Sequence, residues 1–389
     1  MIQTSTLKSI SEFIRTGKTP PTHETKYFNG EIQWFTPGDL DKEKYLGKSM
    51  RSLTEASFID KKATYFPAGT LLVACIGDIG KLGITTQDCS SNQQITGIKP
   101  NTSTDVNYLY YWFRYSKMVI QHFANNAVVP IINNGTLEKI KIPLPPLADQ
   151  QKIASILDAA DSLRQKDQQL IEKYTALSQS LFLEMFGDPV RNLKEWEIKE
   201  LADVCLTQLG KMLSKASKKN INPKIYLRNA NVRWGSFDLK DMLEMDFDDK
   251  EIKKFTLLNG DLLVCEGGDI GRCAIWRNDL DDCFYQKALH RIRVKNGALI
   301  VEYLQSYFYW MSKLGALSSS ASEVTFSHLT AEKLKKLKVP TPPISLQKQY
   351  AERIQSIEAQ KQLALASLEK SAALFNSLLQ RAFKGELTV

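Results

Sequence analysis

At 389 residues with 43% hydrophobic side chains, the chain exceeds a single core and has the apolar content for two or three domains. No apolar run reaches the roughly 18 residues a membrane span needs, and the N-terminus lacks a basic, apolar, small-residue leader, so a soluble, cytoplasmic protein without membrane contact is expected. A formal net charge of +8 suits a polyanionic partner, and the six cysteines (Cys75, Cys89, Cys205, Cys265, Cys273, Cys283) lack Cys-x-x-Cys spacing and paired histidines, which favours buried thiols over zinc or disulfides.

In chain order, a first block covers residues 1–142. It opens with Leu7-Lys8-Ser9-Ile10-Ser11-Glu12-Phe13-Ile14, followed by Gly17-Lys18-Thr19-Pro20. Ile32-Gln33-Trp34-Phe35-Thr36-Pro37-Gly38-Asp39-Leu40 reads as a short strand ending in a Pro-Gly turn. Gly69-Thr70-Leu71-Leu72-Val73-Ala74-Cys75 reads as a buried strand left through the tight turn Gly77-Asp78-Ile79-Gly80-Lys81, and the aromatic run 108–115 as an amphipathic helix.

Residues 143–188 begin Pro143-Leu144-Pro145-Pro146-Leu147 and continue without Gly or Pro to Phe186-Gly187. Proline blocks helix before Leu147 and glycine supplies the stop, which predicts one long helix. Ile153, Ile156, Ala160, Leu163, Leu170, Tyr174, Leu177 and Leu181 recur at steps of three and four, interrupted at Asp167, and predict a heptad seam.

The second block, residues 189–340, replays the first. Ile198-Lys199-Glu200-Leu201 answers residues 7–10, Gly210-Lys211 answers Gly17-Lys18, and Ile225-Tyr226-Leu227-Arg228-Asn229 answers the Trp34 strand. Gly260-Asp261-Leu262-Leu263-Val264 with Gly268-Asp269-Ile270-Gly271-Arg272 answers the Gly69 strand and its turn, and Tyr303-Leu304 with Tyr307-Phe308 answers the aromatic helix. Residues 341–389 repeat the proline lead-in about 197 residues on; Pro143, Pro145, Pro146, Gln150, Ala154, Glu172, Lys173, Leu177, Leu181 and Phe186 meet identical residues. A second seam runs through Ile354, Ile357, Ala364, Leu368, Phe375 and Leu378, interrupted at Lys361 and Ser371. The two seams most simply cover each other; the alternative is that each helix packs on its own neighbouring block. Residues 1–142 carry 16 basic and 12 acidic side chains and residues 189–340 carry 25 and 20, so the positive excess sits in the blocks.

The Gly-Lys-Thr-Pro stretch, the Trp-Phe-Thr-Pro-Gly-Asp-Leu strand, the Gly-Asp-Ile-Gly-Lys turn and the Pro-Leu-Pro-Pro-Leu-x-x-Gln lead-in, in this order and replayed, resemble the specificity subunit of type I restriction-modification systems over the full length. The resemblance implies an α/β (α+β) fold of two mixed α/β target-recognition domains in tandem (1–142 and 189–340). These are joined by two long helices (143–188 and 341–389) in an antiparallel coiled coil with pseudo-two-fold symmetry. It also implies double-stranded DNA, two modification (methyltransferase) subunits and restriction (translocase and nuclease) subunits as partners, with the coiled coil setting the spacer. No cofactor is expected in this chain; S-adenosylmethionine, ATP and Mg would serve the assembled complex. A pseudo-two-fold protein reads spaced half-sites, and divergent blocks imply unlike ones.

Catalytic readings find little support. The phosphate-loop pattern would need Gly at position 75 and Ser or Thr at 82, where Cys75 and Leu82 stand. Asn222-Pro223-Lys224 lacks the second proline and aromatic of an amino-methyltransferase motif, no Gly-x-Gly-x-x-Gly opens a cofactor fold, and His23, His122, His290 and His328 are scattered. A self-sufficient DNA methyltransferase and a coiled-coil scaffold without a DNA role are the alternatives. Candidates for phosphate contact are Lys18, Thr19, Lys211, Lys215, Lys218 and Lys219, in Gly- and Ser-containing loops. Base-reading chemistry favours Arg on guanine and Asn or Gln on adenine, which selects Gln93, Gln94, Asn133, Asn134, Arg228, Asn229, Asn231, Arg233, Arg291 and Arg293. Arg291, Arg293 and Lys295 alternate along an expected strand and share a face.

Overall fold

Proline and glycine delimit two long helices as the sequence predicts. They span Leu147–Phe186 and Ile344–Lys384, directly after Pro145-Pro146 and Pro342-Pro343. Each stops at a glycine in the left-handed region, Gly187 (φ 80°) and Gly385 (φ 76°), where a side chain would be strained. The structure, a computed structural model, describes residues 3–122, 130–214, 221–295, 297–317 and 328–387. It divides into two units, Met1–Gln168 with Ala366–Val389, and Gln169–Leu365. The division falls within the helices, so each unit comprises one block, the first part of the helix that follows it and the last part of the other helix.

In the first unit, strands Ser11–Thr16, Ile95–Pro100, Leu71–Ala74, Leu82–Thr85 and Tyr45–Leu46 form a five-stranded sheet in that order. Its pairs are antiparallel except the last, which is parallel. The run Leu71-Leu72-Val73-Ala74 is apolar throughout because both faces are covered. Leu71 and Val73 join the core beneath the aromatic helix Val106–Tyr115, and Leu72 and Ala74 face Phe35 and Phe66 on the other side. A three-stranded sheet, Arg51–Leu53, Phe28–Phe35 and Cys89–Ser91, completes the block. Thr4–Thr6 pairs antiparallel with Lys141–Pro143, which ties the start of the block to the proline lead-in.

The second unit repeats this plan with a four-stranded antiparallel sheet, Cys205–Leu209, Leu289–Val294, Leu262–Cys265 and Cys273–Ile275. Beside it lie Leu243–Asp246, Pro223–Leu227 and Phe284–Tyr285, and Ile198–Glu200 pairs with Lys338–Pro340 as its counterpart does in the first unit. All six cysteines are buried and unpaired, and burial pushes the thiols up, Cys75 and Cys265 to about 11 and Cys89, Cys205 and Cys283 to about 12.

Each block is fastened to its helix by one glutamine, Gln150 or Gln347, both 0% exposed. The Gln150 side-chain oxygen accepts the backbone N–H of Asp105, at the start of the aromatic helix (2.9 Å), and its amide donates to the carbonyls of Ser103 (3.0 Å) and Pro145 (2.9 Å). Gln347 likewise accepts from the N–H of Ile300, the N-cap of helix Val301–Lys313 (2.9 Å), and donates to the Pro342 carbonyl (2.7 Å). One side chain thus satisfies an orphan helix donor and the carbonyls of a proline-bound turn. In the first unit Lys44, nearly buried among Tyr45, Tyr110 and Tyr111, adds an ion pair to Asp158 on the helix.

The helix seam corrects part of the expected pattern. In the first unit Ile153, Leu157, Ala160 and Asp167 are buried, with Phe375, Leu379, Ala382 and Phe383 of the other helix joining the same core. Leu181, Phe182, Met185 and Phe186 enter the second unit's core with Tyr350, Ile354 and Ile357. The expected Ile153, Tyr174 and Leu181 are at least half-buried, as are Ile354, Ile357, Leu368, Phe375 and Leu378, but Leu163, Leu170 and Leu177 are 46%, 42% and 47% exposed. The covered residue at each of these steps is the next one, Arg164, Ile171 and Ser178, while Leu157 is fully buried beside half-buried Ile156. Arg164 is tolerated because it pairs with buried Asp161 (2.8 Å) and lies over the Phe375 ring (5.9 Å). The two polar interruptions Asp167 and Ser371 meet each other: the Ser371 hydroxyl donates to the Asp167 carboxylate at 2.7 Å.

Replacing Gln150 with Leu removes the partner of the part-buried Asp105 N–H and of the Ser103 and Pro145 carbonyls, at roughly 1–3 kcal/mol for each group that water does not reach. Thermal or urea unfolding of Gln150→Leu is therefore expected to show a loss of about 3 kcal/mol or more. Leu181→Asp is also strongly destabilising, whereas Leu177→Asp changes stability by about 0.5 kcal/mol or less. Equal losses for the two leucine substitutions would contradict the observed seam.

Candidate nucleic-acid interface

At one end of the five-stranded sheet, three stretches of the first unit converge. Strand Ser11–Thr16 leaves through Gly17-Lys18-Thr19, strand Ile95–Pro100 is entered through Asn92-Gln93-Gln94, and strand Leu71–Ala74 exits toward the turn at 77–81. The first two cross so closely that a Cβ on Gly17 would meet Ser91 Oγ at 2.2 Å and the Asn92 carbonyl at 2.3 Å, so only glycine fits. Gly17 N–H donates to the Ile95 carbonyl (2.9 Å), and Cys75 N–H to that of Gln94 (2.8 Å).

Five of the six candidates expected in this block meet here. Lys18 is exposed, and its ammonium has no carboxylate partner among the described residues. The Thr19 hydroxyl donates to the side-chain oxygen of exposed Gln93. Gln94 is held by Asn92, whose amide donates to its side-chain oxygen (2.8 Å). Asn134 accepts from the hydroxyls of Thr16 (3.2 Å) and Thr96 (3.1 Å). Asn133, in contrast, is the N-cap of helix Asn134–Lys139, accepting from the Thr136 N–H, and Thr330 caps Ala331–Lys335 in the same way. Its role is local structure.

The second unit builds the same frame. Gly210 N–H donates to the Leu289 carbonyl (2.9 Å), and a Cβ there would lie 2.4 Å from the Gln286 backbone. Glu266 N–H donates to the Ala288 carbonyl (2.9 Å). The candidates expected here are mostly committed internally. Lys211 pairs with Glu251 and donates to the Asp246 carbonyl (2.6 Å). Arg293 forms a two-pronged pair with nearly inaccessible Asp261 (2.6 and 2.7 Å), and Arg291 donates to the carbonyls of Lys254 (3.1 Å) and Thr256 (3.0 Å). Arg228 is bound to Asp241 (2.6 Å), and Asn229 donates to the Gly267 carbonyl (3.0 Å). Arg233 remains half-exposed, donating to the Ala230 carbonyl (2.8 Å) beside Asp238. Asn231 is buried, accepting from the Arg228 N–H (2.9 Å) just as Asp39 accepts from that of Thr36 (2.8 Å). It closes a turn. Lys215, Lys218, Lys219 and the side chain of His122 lie outside the described residues.

The two Gly-Asp-Ile-Gly turns are structural in both units. Gly77 (φ 76°), Gly80 (φ 86°), Gly268 (φ 77°) and Gly271 (φ 83°) all take left-handed backbone. Lys81 is paired with Asp78 (2.6 Å) rather than free for a phosphate.

One exposed lysine was missed. Lys287 occupies in the second unit the place of Gln93, two residues before the strand that receives the glycine's hydrogen bond, and its ammonium has no carboxylate partner among the described residues. Aligning Ile95-Thr96 with Leu289-His290 would have found it.

The model of the Type I restriction modification DNA specificity domain matches residues 2–173 and 193–370. The two matches fall one on each repeat of the α/β plan, and this chain belongs to that type I DNA-specificity family. It is 29% identical to the MjaIX specificity subunit of Methanocaldococcus jannaschii over 58% of its own length and 55% of that protein's. To the EcoKI specificity subunit of Escherichia coli it is 26% identical, over 69% and 62%. These alignments therefore span under two thirds of either relative. The fold resembles that of the type I restriction-modification S subunit from M. genitalium, with a TM-score of 0.62 at 15% identity, covering 98% of this chain and 96% of that one. Among the described residues no helix is long and apolar enough to cross a membrane.

The burial of His290 predicts a pH dependence of stability in the second unit. The ring is wholly buried, sits close to the Leu329 carbonyl through Nε2 (2.9 Å) and has no partner at Nδ1, and burial lowers its pKa. The unfolded chain takes up this proton at pH values just below 6.5 while the folded chain resists it. Stability is thus full above that pH and falls as the pH drops toward the lower folded value, by at most about 1.4 kcal/mol per pH unit. Urea unfolding between about pH 7.5 and about pH 5.5 is expected to show this slope, and His290→Leu to reduce it.

Proposed function

We propose that this chain is the DNA-recognition subunit of a type I restriction-modification complex and is not itself catalytic. Residues 1–142 and 189–340 serve as two target-recognition domains that read unlike halves of a split site on double-stranded DNA. The coiled-coil helices at 143–188 and 341–389 set the spacer and dock two modification subunits, with restriction subunits joining them; S-adenosylmethionine, ATP and Mg belong to those partners. The observation that carries this reading is the match to the family's specificity domain at residues 2–173 and 193–370, once for each repeat. The family match lends nothing to a self-sufficient methyltransferase or to a scaffold without DNA.

Within this reading, Lys18 is placed on phosphate and Gln93 and Asn134 are the base-facing side chains of the first domain, while the Thr19 hydroxyl is spent on Gln93 and Gln94 is held by Asn92. Arg233 is the least committed of the expected candidates in the second domain. Exchanging residues 1–142 for the equivalent block of another such subunit is expected to change one half of the methylated motif and preserve the other, as read by methylome mapping. A change in both halves would refute independent readers.

The phosphate assignments are separable by salt. Lys18→Ala should reduce the slope of log affinity against log salt by about one unit for the assembled complex, the signature of one lost phosphate contact. Lys211→Ala should leave that slope unchanged, because its ammonium is already neutralised by Glu251.

A further inference from the structure

We infer, resting on the DNA-recognition reading above, that Gln93 and Lys287 are equivalent base-reading positions, the first set for adenine and the second for guanine. In a duplicated protein with unlike half-sites, a specificity position should satisfy four conditions. It lies on the same backbone frame in both units, is exposed, is not consumed by its own chain, and differs in chemistry between the copies.

Most backbone bonds of the frame recur in both units; the second adds bonds from Lys287 N–H to the Lys211 carbonyl (2.8 Å) and from Lys211 N–H to the Tyr285 carbonyl (3.2 Å), and its Lys287–Ala288 peptide is cis. Asn92 N–H donates to the Phe35 carbonyl (3.0 Å) and Gln286 N–H to that of Leu227 (3.1 Å). Ile95 N–H returns to the Asn92 carbonyl (3.2 Å) and Leu289 N–H to that of Gln286 (3.0 Å). The glycine crossings at Gly17 and Gly210 and the donations from Cys75 and Glu266 complete both frames. Residues 93 and 287 follow Asn92 and Gln286, and both are exposed.

Other positions of the frame fail at least one condition. Lys18 and Lys211 do not differ, and Lys211 is spent on Glu251. Gln94 is held by Asn92, and its counterpart is Ala288. Asn133 and Thr330 are both helix caps. Asp39 and Asn231 both close turns.

The chemistry at the two survivors differs in kind. Thr19 donates to the Gln93 side-chain oxygen and so orients the amide, whose N–H groups have no acceptor among the described residues. With its second lone pair still open, that oxygen can accept from adenine N6 while the amide donates to N7. Lys287 offers donors only, which suits guanine O6 and N7.

The test uses the complete system in cells, with methylome mapping of the wild type, Gln93→Ala and Lys287→Ala, and melting curves of the purified complexes to confirm folding. Gln93→Ala should relax one A·T position in one half-site, and Lys287→Ala one G·C position in the other, each by about ten-fold or more in discrimination. Gln93→Lys should shift the first position toward guanine. An unchanged motif with uniformly weaker, less salt-sensitive binding would overturn the inference, because it would make these residues phosphate contacts. So would relaxation of both half-sites by one substitution, or of the opposite base class. A wild-type complex that methylates no two-part motif would instead overturn the DNA-recognition reading itself.

Discussion

The fully buried glutamine at the start of each long helix is the contact on which the rest of each unit depends. A helix after a Pro-Pro pair and a helix after a loop both begin with backbone groups that no intrahelical bond can satisfy. Gln150 resolves the two problems together by accepting from Asp105 and donating to Ser103 and Pro145. The aromatic helix is thereby fixed against the long helix at a defined angle, and Tyr108, Tyr111 and Tyr115 reach Phe375 and Phe383 at ring distances of 5.2–6.1 Å. The second unit solves the same problem with Gln347, and there Phe182 and Phe186 pack on Tyr303 at 5.6 and 4.7 Å. A hydrophobic pair can slide; a satisfied buried amide cannot without losing its bonds.

Much of this was legible in the sequence because proline, glycine and periodicity act locally. The helix limits, the buried Leu-Leu-Val strands and the Gly-Asp-Ile-Gly turns follow from rules of that kind. The seam phase did not, because 3.6 residues per turn lets a three-step and a four-step pattern fit the same leucines. Leu163, Leu170 and Leu177 sit one residue before the covered face, and what settles the phase is Arg164 on Asp161 and Ser371 on Asp167, polar contacts that a search for apolar residues discards.

The candidates expected in the first block mostly fall together at one end of its sheet, whereas those of the second are mostly spent on their own chain, for an electrostatic reason. The second block carries 25 basic and 20 acidic side chains, and its arginines are drawn to those acids or to backbone carbonyls. Arg293 on Asp261, Arg228 on Asp241 and Lys211 on Glu251 are charges used to hold loops and strands together. Residue type marks an arginine as able to grip a guanine or a phosphate, but only the fold reveals whether a carboxylate already has it. Lys287 shows the converse, a residue unremarkable in sequence that the frame leaves free.

That the frame is made of backbone hydrogen bonds explains how two such different surfaces can share it. Every residue but proline supplies the same N–H and carbonyl, so the crossings at Gly17 and Gly210 and the bonds around Asn92 and Gln286 make no demand on the side chains between them. Only the glycines, whose missing Cβ lets the strands approach, are fixed by the geometry. An exposed side chain on such a frame can change from an amide to an ammonium with little effect on stability, because it buries little surface and the one partner it would leave, the Thr19 hydroxyl, is exposed to water. Exposed side-chain chemistry is therefore free to diverge where the fold is indifferent to it, and the glutamine at the foot of each helix, on which the fold does depend, stays the same in both copies.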